Sequence, residues 1–180
     1  MAETFDLQLI ESCIKGNRAS QKALYDRLAA RMYSVCIRYV GDREQAQDVL
    51  QDGFVTLFSH LKSYKGEGSF EGWARKIFVT TALMNLRKKD ALKMSDDLEV
   101  ARGLKAETES QIQSLGYKEL ISLVMELPPG FRTVFNMYAL EGYSHKEIGE
   151  MLGITETTSR TQLSRARIWL QNKIKERNNV

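Results

Sequence analysis

A cluster of hydroxyl and guanidinium side chains lies near the carboxyl end of this 180-residue chain. Such groups contact base edges and phosphates in nucleic-acid complexes. At helical spacing they share one side of a helix, and five small or apolar residues form the other: Ser159, Leu163, Ala166, Leu170 and Ile174. The pattern predicts a DNA-reading helix. Its predicted contact residues are Thr157, Thr158, Arg160, Thr161, Ser164, Arg165 and Arg167.

The residues before this helix predict a shorter helix and a tight turn. Ser144 followed by Glu147 is a capping box that starts a helix at about His145. Gly149 permits a second helix to approach closely, and Gly153 can end the helix in the left-handed conformation. Thr155 then caps the DNA-reading helix. Together these signals predict a helix-turn-helix. The alternative interpretation is a solvated basic helix at the end of a domain.

Charge is distributed unevenly along the chain, although the total is only +3. Residues 62–94 carry a net +5 and residues 112–180 a net +2, whereas residues 95–111 between them carry a net −3. Two basic zones separated by an acidic one suggest two nucleic-acid surfaces on one chain.

The sequence argues against an enzyme. It has no phosphate-binding Gly-Lys-Ser/Thr loop, and its two His residues, His60 and His145, are isolated and expected at the surface. Cys13 and Cys36 have no metal-ligand spacing and are expected to be buried free thiols. We therefore expect no catalytic residue, metal or cofactor. Without a signal peptide or a long apolar run, the chain is expected to be cytoplasmic.

Helical spacing throughout, without strand-like alternation, predicts an all-α fold. We expect two small helical domains, residues 6–94 and 113–180, joined by a flexible acidic linker at 95–112, with the helix-turn-helix in the second domain. Pro129 is expected to start a helix. A helix over residues 42–61 is expected to bury Val55 among other apolar residues.

A Gly-rich loop at residues 62–69 follows that helix and contains Tyr64 between Lys62 and Lys65. On composition alone this segment is a flexible surface loop. Trp73, just beyond it, is expected in the core.

Five stretches of the sequence carry a combined signal. The first two are Asp-Val-Leu-Gln-Asp-Gly-Phe-Val from residue 48 and Gly-Ser-Phe-Glu-Gly-Trp-Ala-Arg-Lys-Ile from residue 68. The others are Glu-Leu-Pro-Pro-Gly-Phe-Arg-Thr-Val-Phe-Asn-Met-Tyr at residues 126–138, Glu-Gly-Tyr-Ser-His-Lys-Glu-Ile at residues 141–148 and Leu-Ser-Arg-Ala-Arg at residues 163–167. In this order they resemble the sigma-70 family of bacterial RNA polymerase specificity subunits, in its short extracytoplasmic-function group. The resemblance covers nearly the whole chain.

The resemblance implies a subunit that directs core RNA polymerase to promoters without catalysis of its own. The first domain would bind the clamp of the largest polymerase subunit and open the minus-10 element, and the second would read the minus-35 element. An anti-sigma protein is a further implied partner. The implied polymerase contacts are Asp48, Gln51 and Asp52. The implied minus-10 contacts are Lys62, Tyr64, Lys65, Thr80, Met84, Asn85, Arg87 and Lys88.

The resemblance also implies that the loop at residues 62–69 captures a flipped base of the melted strand. Its composition fits this role, because glycines let the backbone close on a base, Tyr64 offers a stacking face, and Lys62 and Lys65 attract the strand. The alternative is a flexible surface loop, and Trp73 is expected in the core rather than as a wedge between bases.

Two positions depart from this pattern. Many relatives have Asn where this chain has Thr80, which leaves the base preference there open. Relatives often have Val at the position of Ser159, which we expect to be an inward small residue. The alternative function is a stand-alone helix-turn-helix regulator, although residues 1–94 lack the alternating strands and helices of a response-regulator receiver domain.

Overall fold

The computed structural model describes residues 7–88 and 116–178, which are helical with no β-strand among them. The predicted all-α fold class is confirmed. The chain divides into two compact units, Met1–Leu86 and Arg87–Val180. The described helices are α1 (Leu7–Ile14), α2 (Arg18–Val40), α3 (Arg43–His60), α4 (Phe70–Lys88), α5 (Tyr117–Glu126), α6 (Pro129–Phe135), α7 (His145–Leu152) and α8 (Glu156–Asn178).

Side-chain caps define the helix starts of the first unit. The Asn17 side chain accepts a hydrogen bond from the Ser20 amide at 3.0 Å, which starts α2. The Asp42 carboxylate accepts from the Gln45 amide at 2.9 Å, which starts α3. Between them, Gly41 ends α2 with φ +73, a left-handed conformation that glycine adopts without strain.

Helices α3 and α4 approach each other closely at Gly53. The rings of Phe54 and Phe78 meet edge to face with centroids 5.1 Å apart. A Cβ added to Gly53 would lie 2.3 Å from the ring of Phe78, which is completely buried. The missing side chain therefore lets the Phe78 ring lie directly on the backbone of α3.

In the second unit a proline pair separates α5 from α6. Pro128 is the N-cap of α6 and Pro129 its first residue, as predicted. The Arg132 side chain turns back and donates to the Met125 carbonyl at 2.7 Å, near the end of α5. Burial lowers the pKa of Arg132. Beyond α6 the helix widens into a π-helix, Asn136–Leu140.

Cys13 and Cys36 are buried free thiols, as predicted. Burial raises the pKa of Cys36 to about 12, so its reactive thiolate form is scarce near neutral pH. Among residues 7–88 and 116–178, no helix combines the length and the apolar character needed to span a bilayer.

Replacing Gly53 by alanine is expected to lower the free energy of unfolding by about 1–3 kcal/mol, because the new methyl group would force the buried Phe78 ring aside. Urea unfolding of the full chain, followed by circular dichroism, measures this loss. Gly72→Ala is the matched control. Gly72 also lies in a helix, but its added Cβ would have ordinary contacts, the nearest to Ser69 at 3.7 Å. Equal stability of the two variants would contradict the role of Gly53.

Candidate nucleic-acid interface

Reciprocal hydrogen bonds form the start of the helix-turn-helix. The Ser144 hydroxyl accepts from the Glu147 amide at 3.3 Å, and the Glu147 carboxylate accepts from the Ser144 amide at 2.8 Å. Gly153, with φ +71, ends α7. The Thr155 hydroxyl then accepts from the Thr158 amide at 3.0 Å and starts α8. Both predicted caps and the predicted glycine stop are confirmed.

The motif is closely packed at Gly149. A Cβ added there would lie 2.8 Å from the carbonyl oxygen of Ile154, in the turn between the two helices. The predicted close approach is present, and its partner is the backbone of the turn rather than a side chain. Any larger residue would push the turn, and therefore the start of α8, away from α7.

The inward face of α8 follows the predicted spacing, and all five of its residues are buried: Ser159, Leu163, Ala166, Leu170 and Ile174. Since a helix has one orientation that buries such a stripe, the opposite side must face outward. The exposed members of the predicted reading set are Thr157, Arg160, Thr161, Ser164 and Arg167. Thr158 and Arg165 are half-buried.

Several of these side chains have local partners within the chain. The Thr161 hydroxyl donates to the Thr157 carbonyl at 3.0 Å, and the Thr158 hydroxyl is 2.8 Å from that of Thr155. Arg160 forms an ion pair with Glu156, one turn earlier, and its side chain remains 63% exposed. Exposed ion pairs contribute little free energy, so a phosphate or a base could displace Glu156 at small cost.

His145 is buried, and its predicted place at the surface is wrong. Only 8% of the residue is exposed, and its Nδ1 lies 2.9 Å from the Ser159 hydroxyl oxygen. Its ring stacks on Tyr138 with centroids 4.4 Å apart. Burial is the main cause that lowers the pKa of His145, with Arg160 and Arg167 acting in the same direction and Glu156 against it. An inward hydroxyl at residue 159, which needs a partner, was the sequence signal for this contact.

The loop between α3 and α4 is closed by Tyr64. A 3₁₀ turn, Leu61–Ser63, precedes Tyr64. The Tyr64 hydroxyl donates to the Gly68 carbonyl at 2.9 Å. The half-buried Tyr64 ring lies 5.0 Å from Phe70 and 5.4 Å from Trp73 between centroids. Trp73 is half-buried, so it belongs to this aromatic cluster at the edge of the core. The two predicted loop lysines, Lys62 and Lys65, are exposed.

The last turns of α4 present a second predicted nucleic-acid surface. Thr80, Met84 and Lys88 recur every four residues and are exposed, and Arg87 beside them is exposed too. Met84 is 56% exposed, an unusual position for a large apolar side chain. The Thr80 hydroxyl donates to the Lys76 carbonyl of its own helix at 2.8 Å. Asn85, the remaining predicted contact on this helix, is half-buried.

One side of α3 carries the three predicted polymerase contacts, Asp48, Gln51 and Asp52, all exposed. Val55, one turn further, is 71% exposed on the same side, so its predicted burial is wrong. The reason is that Gly53, Phe54 and Leu57 already fill the inward side of this turn. The result is an acidic patch that ends in an apolar side chain.

Comparisons with known proteins match both units. Family models for Sigma-70 region 2 and for Sigma-70, region 4 match residues 24–92 and 117–170. The ECF RNA polymerase sigma-E factor of Haemophilus influenzae is 27% identical over 186 residues, which cover 97% of this chain and 98% of that protein. The RNA polymerase sigma-H factor of Pseudomonas aeruginosa is 27% identical over 173 residues, 90% of each chain.

A solved structure shares the helical fold. It is the sigma factor RpoE in complex with the anti-sigma factor NepR from Bartonella quintana, with 18% identity and a TM-score of 0.52. The match covers 86% of this chain and 96% of that one.

The stability of the second unit is expected to fall as the pH drops below 6.5, the ordinary pKa of histidine. Folding lowers the pKa of His145, so the unfolded chain binds a proton more readily in this range, and protonation favours unfolding. Above pH 6.5 the second unit keeps its full stability. An NMR titration of the imidazole measures the shift, and His60→Gln leaves His145 as the sole histidine. A midpoint at or above 6.5 would contradict the expectation.

Proposed function

This chain belongs to the extracytoplasmic-function group of the sigma-70 family and is an RNA polymerase sigma factor, and from this premise we propose how its residues divide the recognition of a promoter. Residues 6–94 bind polymerase and open the minus-10 element, and residues 113–180 read the minus-35 element. Residues 95–112 join them. A stand-alone regulator is not favoured, because the family matches extend over both units.

The single observation that carries the proposal is the two-sided character of α8. Its inward stripe is buried without exception, and Arg160, Thr161 and Ser164 lie exposed on the other side. A helix oriented in this way presents hydroxyl and guanidinium groups to the floor of a major groove. In this proposal Arg160 reads a base, whereas Arg167, further along the helix, holds a phosphate.

The loop at residues 62–69 is proposed to capture a base of the melted minus-10 strand. Lys62 and Lys65 are exposed and attract the strand, and the aromatic cluster around Tyr64 offers a surface on which a base can stack. Unstacking a base costs a few kcal/mol, which such stacking can offset. The exposed residues Thr80, Met84, Arg87 and Lys88 at the end of α4, together with Asn85, would then contact the same strand.

The acidic side of α3 is proposed to bind the polymerase clamp. Asp48, Gln51 and Asp52 would supply polar and charged contacts, and the exposed Val55 adds an apolar contact that the sequence did not suggest. An apolar group surrounded by charge is a common arrangement in transient interfaces. The whole surface lies on one helix, so its geometry is preformed.

The proposed partners of this chain are core RNA polymerase, promoter DNA and an anti-sigma protein. Because the polymerase supplies the chemistry and its metal ions, this chain needs no catalytic residue or cofactor of its own. The solved Bartonella quintana sigma factor is held by an anti-sigma factor, which supports a protein of that kind as a regulator here. The site of action is the cytoplasm, where polymerase and promoter DNA are found.

The test combines binding to bacterial core RNA polymerase with transcription from a genomic promoter library. The wild-type chain is expected to bind core stoichiometrically and to give new, promoter-specific transcripts. Asp48→Lys and Val55→Ser are each expected to weaken core binding about tenfold, since each removes a contact and the first also reverses a charge. Gln47→Ala, an exposed substitution at the flank of the same helix, is the control. No binding to core, together with tight and specific DNA binding by the chain alone, would overturn the proposal.

Arg160→Ala and Arg167→Ala are expected to have different effects on DNA recognition. Arg160→Ala removes the proposed base contact. It should lower transcription about 10-fold from promoters with the matching base and spare other promoters, because a bidentate arginine discriminates between bases by about 1–3 kcal/mol. Arg167→Ala removes the proposed phosphate contact, so it should weaken binding to all promoters alike and reduce the salt dependence of binding. Promoter variants that differ at single minus-35 positions measure both effects. A uniform loss for both variants would contradict the assignment.

A further inference from the structure

One polar bond crosses the buried interior of the helix-turn-helix. It joins Nδ1 of His145, the first residue of α7, to the hydroxyl of Ser159 on the inward face of α8 at 2.9 Å. Ser159 is completely buried, and the nearby inward residues Ile148 and Leu163 are apolar. A buried hydroxyl costs free energy unless it is hydrogen-bonded. An apolar residue at position 159 would therefore fill the interior without needing a hydrogen-bond partner.

The same imidazole also contacts the segment before α7. Its ring is nearly parallel to that of Tyr138, with an interplanar angle of 17° and centroids 4.4 Å apart. Tyr138 lies in the π-helix Asn136–Leu140, a widened turn of a kind that often occurs at functional sites. His145 therefore connects three consecutive parts of the second unit: the π-helix, α7 and α8.

A hydrogen bond constrains α8 in a way that its apolar contacts do not. Burial of apolar area is non-directional, so an inward stripe tolerates a modest rotation of the helix about its axis. A hydrogen bond requires a short distance and a narrow angle, and it is lost when the helix rotates. Arg160 directly follows Ser159, so the residue held by the bond is the neighbour of the proposed base reader.

We propose that the His145–Ser159 hydrogen bond sets the rotational position of α8, which makes these two residues positioning residues for base recognition. This inference rests on the proposed reading of the minus-35 element by α8. Neither side chain needs to contact DNA. Their effect is to direct the exposed side of α8, with Arg160 and Thr161, at the base edges rather than beside them.

The test uses two variants that differ in the hydroxyl alone. Ser159→Thr keeps a hydroxyl and Ser159→Val replaces it by a methyl group, so any crowding from the added carbon is common to both. Each is assembled with core polymerase, and transcription from a matched promoter is divided by that from a promoter with one minus-35 substitution. In Ser159→Val this ratio is expected to fall about threefold to tenfold, whereas in Ser159→Thr it is expected to stay at the wild-type value.

Two further variants separate positioning from stability. His145→Phe keeps a ring against Tyr138 but has no nitrogen, and it is expected to lower the ratio as much as Ser159→Val, with no further loss in the double variant. Thr133→Val removes another buried hydroxyl of the same unit, one that donates to Pro129 of its own helix at 2.8 Å. It is expected to reduce thermal stability without changing the ratio.

The outcomes are distinguishable. Failure of the wild-type holoenzyme to discriminate minus-35 variants overturns the proposed reading by α8 and, with it, this inference. Normal discrimination by wild type, Ser159→Val and His145→Phe overturns the inference alone. Additive losses in the double variant also overturn it, because they show that the two residues act separately. If neither residue-159 variant folds, Ser159→Ala replaces Ser159→Val and is compared with wild type.

Discussion

The burial of one stripe of α8 is the constraint on which the proposed DNA-reading surface depends. Five inward residues, from Ser159 to Ile174, all lie in the interior of the second unit. Because α8 buries this side, the direction of its exposed hydroxyl and guanidinium groups follows from packing that involves none of them. The residue at which α8 begins is then determined by the caps at Ser144 and Thr155 and by the close contact at Gly149.

The first unit uses the same principle with different residues. Gly53 lets the ring of Phe78 lie on α3, and this contact orients the opposite side of α3, with Asp52 and Val55, toward solvent. Each unit therefore presents a proposed recognition surface on a helix that is oriented by its buried side. Two modest readers on one chain gain affinity through effective concentration, provided that both of their DNA elements are present.

Much of this arrangement could be predicted from the sequence because it depends on local rules. The capping residues Ser144 and Thr155, the helix start at Pro129 and the inward stripe of α8 each follow from the preferences of a few neighbouring residues. The all-α class followed from the same periodicity. The DNA contacts on α8 were predicted from side-chain chemistry and helical spacing, whereas the minus-10 and polymerase contacts depended on family resemblance. All of these contacts remain proposals.

The errors occurred where tertiary contacts outweigh local patterns. Val55 is apolar and lies among core residues in sequence, but Gly53 and Phe54 take the inward positions of that turn. His145 occupies the first turn of a helix, usually an exposed place, and is buried because the π-helix brings Tyr138 onto its ring. Neither the π-helix nor this stacking has a signal in a single sequence.

The hydrogen bond from Tyr64 to Gly68 determines when the loop between α3 and α4 loses its conformational freedom. Fixing a backbone residue costs roughly 1–2 kcal/mol. Since the tie forms within the folded protein, this ordering entropy is lost during folding rather than during the encounter with a melted strand. In the proposed strand capture the base would then enter a preformed site, and the ordering of the loop would not weaken its stacking and charge contacts.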